Sequence, residues 1–229
     1  MNDAFWFAVL PYVSVTVFFV VTIARYRTQA FSYSSLSSQF LENRQHFWGS
    51  VPFHYGILTV LAAHLFAVFF PRAILGWNAD PLRVAALEIT GFAFAVLTLV
   101  GLVNVVLRRL RFSKARRVTT WGDWFIYGGL LVQVVTGIWI AVAHTWGSSW
   151  FATSMTPWIW SLVRLEPDIA SIAAMPIAVK LHVVNAFLII AVFPFTRLVH
   201  ILVVPNPYLW RKTQVVLWNW DRKQIRRAP

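Results

Sequence analysis

Histidines within apolar sequence are the residues of this chain best suited to do chemistry. His54 and His64 stand in one apolar stretch, and His182 and His200 stand in a later one. An ionisable side chain in a segment that crosses a bilayer is costly to bury and usually serves a function. Because imidazole can ligate a metal or carry a proton, these four residues predict a functional site.

The other two histidines have simpler interpretations. His46 lies in a polar loop, where we expect it to be solvated, and His144 ends an apolar segment. A structural role is the first interpretation of His144, and a role in proton or quinone handling is the second.

The composition indicates an integral membrane protein. Of 229 residues, 59% are hydrophobic and only 12% are charged, whereas soluble domains are roughly half apolar and about a quarter charged. The chain has no cysteine, which excludes disulfides, thiolate-bound iron–sulfur clusters and covalent c-type haem attachment. Histidine, carboxylate and backbone oxygen are the metal ligands that remain.

Five apolar segments are long enough to form membrane-spanning helices, which need about 20 residues each. We therefore predict an all-α integral membrane protein in which residues 1–229 form a single domain, with a basic tail at 205–229. The predicted spans are residues 4–24, 51–70, 84–107, 124–143 and 178–204.

Two further features of the chain carry structural expectations. Pro194 lies within the fifth segment and predicts a kink, because proline cannot donate the helical hydrogen bond. The tryptophan-rich segment Ser148–Val163 is expected to lie along the outer membrane interface. The tail from Tyr208 onward is interpreted as an interfacial helix or a docking surface.

Basic residues alternate between the connecting loops. Most of the 20 lysines and arginines fall in the first and third loops and the tail. The positive-inside rule then places the N-terminus outside and the C-terminus in the cytoplasm. The net charge of +12 is thus mainly a topology signal, with anionic lipid or an acidic partner as further possibilities.

This orientation assigns each histidine a depth. The second and fifth segments are antiparallel, so His54 and His200 lie near the inner side, while His64 and His182 lie further out. Opposed imidazoles from facing helices are the arrangement that a six-coordinate b-type haem needs. The sequence therefore predicts a haem-binding bundle that contains two stacked haems.

The helical phase and rise agree with this pairing only in part. The eighteen residues between His182 and His200 make five turns, which predicts one stripe, while His54 and His64 are about 80° apart. Along the helix axis, His54 and His64 are about 15 Å apart in the second segment, whereas His182 and His200 are about 27 Å apart in the fifth. Zinc would need three or four ligands close together, which two depths do not supply.

The sequence resembles the gamma subunit of respiratory nitrate reductase over nearly its whole length. The motifs that carry this resemblance are SSQFLENR (Ser37–Arg44), FHYGIL (Phe53–Leu58), HLF (His64–Phe66), LRRLRF (Leu107–Phe112), RVTTWGD (Arg117–Asp123), KLHVV (Lys180–Val184) and FPFTRLVHILVVPNPYL (Phe193–Leu209). The last block is the most specific, whereas the region 146–178 matches the family poorly.

The resemblance implies two b haems, a proximal one at His54 and His200 and a distal one at His64 and His182. It also implies oxidation of menaquinol or ubiquinol beside the distal haem. A basic residue before the third span is implicated there; this chain has Arg83 where the family typically has lysine. An interface anchor is the alternative interpretation of Arg83.

The resemblance also implies partners and a location. Electrons would leave on the cytoplasmic side to an iron–sulfur beta subunit and a molybdenum-containing alpha subunit, in a complex of the inner (cytoplasmic) membrane. Arg197, together with Arg109 or Arg111, is predicted to pair with propionates of the proximal haem. The alternative for Arg109 and Arg111 is that they are ordinary interface arginines.

Two other functions remain open from the residues alone. The chain could be the cytochrome b subunit of another membrane complex, such as one of formate dehydrogenase or hydrogenase type. It could also be a haem-free membrane anchor or transporter subunit in which the histidines form a proton path.

Overall fold

The computed structural model describes residues 2–28 and 44–203. This part of the chain is helical and contains no strand. The predicted tail at 205–229 and the last residue of the predicted fifth span, Val204, lie outside the described residues. Residues 29–43 of the first basic loop lie outside the described residues as well.

Five helices within the described residues are long and apolar enough to cross a membrane, at Phe5–Thr28, Phe47–Phe69, Pro81–Arg111, Trp121–Ala143 and Ile177–Phe195. The prediction of an all-α protein with five spans is therefore confirmed. The corresponding α-helices are α1 (Leu10–Thr28, after a π-helical turn at Phe5–Val9), α2 (Arg44–Phe69), α4 (Pro81–Arg111), α6 (Trp121–Ala143) and α10 (Ile177–Val192).

Short helices connect the spans. They are α3 (Pro71–Trp77), α5 (Ser113–Arg117), α7 (Gly147–Trp150), a π-helical segment at Phe151–Met155, α8 (Thr156–Val163) and α9 (Ala170–Ala173). We call the end of the bundle that carries Arg25, Arg27, Arg108, Arg109, Arg111, Arg116 and Arg117 the basic end.

Side-chain caps determine where two of the spans begin. The Asp80 carboxylate accepts hydrogen bonds from the backbone N–H groups of Leu82 and Arg83 at the start of α4. At the start of α6, Thr120 and Asp123 form a reciprocal capping box. These caps satisfy N–H groups that have no partner within their own helix.

Glycines bring α2 and α4 into close contact. A Cβ atom on Gly101 would lie 2.3 Å from the backbone nitrogen of Phe53, and one on Gly56 would lie 2.3 Å from Thr98 Oγ1. The two helix backbones approach so closely that neither position has room for a side chain. Small residues at such crossings drive helix association in a bilayer through close packing.

The first helix runs alongside the fifth span and contacts it at both ends. The Lys180 ammonium lies 2.9 Å from the Asp3 carboxylate at one end. At the other end, the Arg25 guanidinium donates to the carbonyl oxygens of Pro194 (2.5 Å) and Thr196 (3.2 Å). These contacts give α1 and α10 the same direction.

The fifth span is broken rather than bent. The α-helix ends at Val192, a 3₁₀ turn follows at Phe193–Phe195, Thr196 is extended, and a second 3₁₀ helix covers Arg197–Val203. Pro194 explains the break, because it cannot donate to the carbonyl four residues earlier. The expectation that five α-helical turns put His182 and His200 on one stripe is therefore wrong.

The tryptophan-rich connection is more deeply packed than expected. Trp158 is only 2% exposed and lies edge-on against Phe7 and Phe187, and its indole N–H donates to the Phe7 carbonyl. The expectation that Ser148–Val163 lies along the outer interface is thus incomplete. Part of this segment belongs to the hydrophobic core, since aromatic side chains supply large apolar surfaces there.

This connection also completes the end of α2. Pro71 has no N–H to offer the Ala67 carbonyl, and the Thr156 hydroxyl donates to that oxygen instead (3.3 Å). The Trp160 indole N–H donates to the Val68 carbonyl (3.0 Å). The last carbonyls of a helix need partners of this kind when they are withdrawn from water.

Candidate functional site

His54 and His200 lie close together near the basic end of the bundle. Their ring centroids are 6.1 Å apart, with the ring planes at 69°. Two metal–nitrogen bonds of about 2.0–2.1 Å, plus the radius of each ring, give roughly 6.3 Å between centroids. The separation therefore fits one metal ion between two imidazoles.

The Nδ1 atoms of three histidines contact backbone carbonyls. The distances are 2.7 Å from His54 to the Ser50 oxygen, 2.8 Å from His64 to the Val60 oxygen and 2.7 Å from His200 to the Arg197 oxygen. Because a carbonyl can only accept, Nδ1 must carry the proton in each ring. Nε2 then retains its lone pair, which is the arrangement found in metal-bound histidines.

His64 lies beyond His54 on α2, further from the basic end. Its ring packs edge-on against Phe151, with the centroids 5.4 Å apart. Both α2 histidines are exposed, because α2 packs mainly against α4 whereas α10 packs mainly against α6 and α1. The histidine face of α2 is therefore not covered by α4.

His182 has hydrogen-bond partners at both ring nitrogens. Its Nδ1 lies 2.9 Å from Thr136 Oγ1, and its Nε2 lies 2.9 Å from Gln133 Nε2. The Asn185 amide donates to Gln133 Oε1 (2.7 Å) and to the Gly129 carbonyl (2.9 Å).

Three arginines near the basic end differ in their surroundings. Arg197 lies 3.2 Å from the Asp123 carboxylate, which is 3% exposed, and it donates to the Val118 carbonyl. Arg109 is 6% exposed and donates to Thr119 Oγ1 (3.0 Å), while its buried Nε has no hydrogen-bond partner. Arg111 is exposed. Their predicted pairing with haem propionates stays a prediction.

Arg83 lies at the opposite end of the bundle, in the first turn of α4. Its guanidinium carbon is 5.6 Å from the centre of the Trp77 ring, and the Trp77 indole N–H donates to the Arg83 carbonyl. A cation over an indole face is a favourable arrangement. The predicted role of Arg83 toward quinol stays a prediction.

The haem interpretation passes a test of donor chemistry. Among the residues that the structure describes, no three histidines, aspartates or glutamates cluster as a metal site. Paired imidazoles remain, and haem iron needs only two protein ligands because the macrocycle supplies the others. The inner pair, with its protonated Nδ1 atoms, fits this requirement.

Sequence reasoning missed the partners of His182. Gln133, Thr136 and Gly137 form one face of α6, and a Cβ atom on Gly137 would lie 3.1 Å from His182 Cε1. A glutamine and an asparagine within two apolar spans were the available signal, because polar groups at membrane depth require partners. Asp123 was missed because a capping aspartate looks ordinary in sequence.

Fold and site together define a class of protein, namely a helical membrane protein that presents histidines from two spans across an open face. Residues 3–219 match the nitrate reductase gamma subunit family, and the chain belongs to that family.

Individual relatives align over almost their full length. The chain is 27% identical to the nitrate reductase gamma chain of Bacillus subtilis over 215 residues, covering 92% of this chain and 96% of the relative. It is 30% identical to the respiratory nitrate reductase 2 gamma chain of Escherichia coli over 220 residues, covering 93% and 96%. The respiratory nitrate reductase 1 gamma chain of Escherichia coli is also 30% identical, over 219 residues, with the same coverage.

Proposed function

We propose that this protein is the di-haem cytochrome b subunit of a respiratory nitrate reductase and oxidises quinol near the outer membrane face. The observation that carries the proposal is the close pair of His54 and His200, whose ring separation of 6.1 Å suits a metal between them. Family membership supports the same assignment.

Four histidines would hold the two haems. His54 and His200 would ligate the proximal iron, and His64 and His182 the distal iron. When bound, the haems would supply one-electron redox chemistry between a two-electron quinol and the partner subunits. The protein would hold each ligand ring in a fixed tautomer through its Nδ1 hydrogen bond.

The arginines near the basic end would stabilise the proximal haem's carboxylates. Arg109 is the best placed, because its buried Nε has no partner among the described contacts. Arg197 would exchange or share its contact with Asp123 (3.2 Å), and Arg111 is a third candidate. Charge-assisted bonds between arginine and carboxylate are among the stronger polar contacts in proteins.

The quinol would bind at the opposite end, near His64. Phe151 covers one edge of that ring (5.4 Å) and offers an apolar wall, and Arg83 on its Trp77 platform is the candidate polar contact. The two protons of the quinol would leave on the outer side. The step would separate charge across the membrane, because electrons move inward while protons leave outward.

The orientation and the partners belong to the same proposal. The N-terminus would lie outside and the basic end in the cytoplasm, as the positive-inside rule predicts. An iron–sulfur beta subunit and a molybdenum-containing alpha subunit would bind there, since this chain has no cysteine to hold a cluster. The location would be the inner (cytoplasmic) membrane.

Histidine substitutions test the proposal. In the purified complex, a redox titration followed by absorption should show two b haems. His64→Ala and His182→Ala should each remove the distal signal and abolish quinol oxidation, whereas His54→Ala should remove the proximal signal. The substitution His144→Ala is the matched control and should leave both signals in place.

Two outcomes would contradict the proposal. Two intact bis-histidine haems in His64→Ala would mean that the pairing is wrong. A wild-type complex without a b-type α band in its reduced-minus-oxidised spectrum would favour the haem-free anchor instead.

A further inference from the structure

The hydrogen bonds around His182 determine where each proton lies. The Thr136 hydroxyl has one hydrogen and donates it within α6, to the Val132 carbonyl (2.7 Å). Toward His182 Nδ1, at 2.9 Å, Thr136 Oγ1 can then only accept. Nδ1 of His182 therefore carries the ring proton, and Nε2 has the lone pair.

The second chain of hydrogen bonds leads to the same tautomer. The Asn185 amide nitrogen donates to Gln133 Oε1 (2.7 Å), so the Gln133 amide nitrogen faces the histidine. That nitrogen donates to His182 Nε2 (2.9 Å), which must be the unprotonated one. Each donor atom in the cluster then has at least one acceptor, as a polar group at membrane depth requires.

His182 differs in this respect from the other three histidines. Their Nδ1 atoms contact backbone carbonyls one turn earlier on their own helical segments. The Nδ1 of His182 depends instead on a side chain of another span. A single substitution in α6 can therefore remove the Nδ1 partner of His182 without touching the histidine or its own helix.

We propose that Thr136 is a positioning residue for His182. The Thr136 hydroxyl oxygen accepts the hydrogen bond from His182 Nδ1–H and so leaves Nε2 as the nitrogen that binds the distal haem iron. Gln133 is the partner that Nε2 exchanges for the metal. This inference rests on the proposed function, because it assigns a role toward a haem at His182. An acceptor at Nδ1 raises the basicity of a ligating histidine, which stabilises the ferric state.

The test compares variants of the complete purified complex by electron paramagnetic resonance and redox titration, neither of which depends on turnover. Thr136→Val should move the low-spin signal of the distal haem, raise its midpoint potential and leave the proximal haem unchanged. Thr136→Ser should restore both wild-type values.

Two further variants sharpen the comparison. Thr59→Val is the matched control, because Thr59 also donates to the carbonyl four residues earlier (2.8 Å) and lies about 140° from both α2 histidines around the helix. It should match the wild type. Gln133→Leu should also retain the distal signal, since Nε2 has exchanged that partner for iron.

Each other outcome decides against the inference. An unchanged distal signal in Thr136→Val overturns it, as does a distal haem that Thr136→Ser fails to restore. A signal that moves in Gln133→Leu but not in Thr136→Val would assign the iron to Nδ1. If the wild-type complex has no distal b haem, the proposed function fails and the inference fails with it.

Discussion

Asp123 is a buried carboxylate with two structural roles, one in the cap of α6 and one in an ion pair with Arg197. It is 3% exposed, completes the capping box of α6 and lies 3.2 Å from the Arg197 guanidinium. Arg197 in turn provides the carbonyl that accepts from His200 Nδ1. The start of the fourth span and the position of a proposed haem ligand thus share one residue.

Neutralising Asp123 should therefore affect both stability and the proximal site. We expect Asp123→Asn to lower the free energy of unfolding by about 1.5–3 kcal/mol, the usual range for a hydrogen bond to a charged group. It should also alter the spectrum of the proximal haem. Detergent-solution melting and electron paramagnetic resonance would measure the two effects.

The control for this prediction is the carboxylate of the ion pair between Asp3 and Lys180. Asp3→Asn removes the partner of Lys180 at the opposite end of the bundle and should leave the proximal haem unchanged. Equal proximal signals in Asp123→Asn and in Asp3→Asn would count against the role assigned to Asp123.

At the scale of helices, the pair formed by α2 and α4 is the best-defined packing unit. Its close approach depends on Gly56 and Gly101, where an added Cβ would meet atoms of the facing helix at 2.3 Å. Because α2 carries His54 and His64, its placement against α4 also determines where both histidines stand. The candidate site residues on α2 therefore depend on Gly56 and on Gly101 of the facing helix.

Alanine at Gly101 should force the two helices apart. We expect Gly101→Ala to destabilise the protein by about 1–3 kcal/mol or more, because backbone atoms of Phe53 occupy the required space. Gly91→Ala in the same helix is the control, since nothing lies within 4 Å of an added Cβ there. That variant should be neutral or stabilised by roughly 0.5–1 kcal/mol. Chemical denaturation in detergent would distinguish the two, and equal stabilities would refute the packing argument.

The sequence predicts which segments form spanning helices far better than it predicts where a helix breaks or how its side chains pack. Apolar length alone located all five spans, because a bilayer imposes that length on any spanning helix. The end of the fifth α-helix at Val192 could not be read in the same way, since Pro194 is compatible with a kink or with a break. The packing of Trp158 against Phe7 is likewise a tertiary contact between distant residues.

The candidate site was predictable to a similar degree. Histidine in apolar sequence identified His54 and His200, which the structure brings to a ring separation of 6.1 Å. The partners at Thr136 and Gln133 were not predicted, because hydrogen bonds between two spans depend on their relative rotation. Phase on a single helix does not determine that rotation.

On the scale of the whole molecule, charge is distributed unequally between the two ends of the bundle. Arg116 and Arg117 are exposed at the basic end, while Glu166 and Asp168 are exposed at the other. This asymmetry supports the proposed orientation across the membrane, in which the basic end faces the cytoplasm.

The orientation can be measured with single cysteines, because the chain has none of its own. In spheroplasts, Glu166→Cys should react with a membrane-impermeant maleimide, whereas Arg116→Cys should react only after permeabilisation. The cysteine-free chain is the control and should stay unlabelled. The reverse labelling pattern would mean that the proposed orientation is inverted.

The contact between His54 and His200 also sets an order of events during biosynthesis. A ribosome completes α2 long before it makes the segment that bears His200, and membrane spans leave the translation machinery from the N-terminus onward. Until the last span arrives, the nascent chain would present each proposed haem iron with one imidazole at most. Under the proposed function, haem insertion would therefore be a late step, and a message truncated before codon 182 would yield a protein that can assemble neither proposed site.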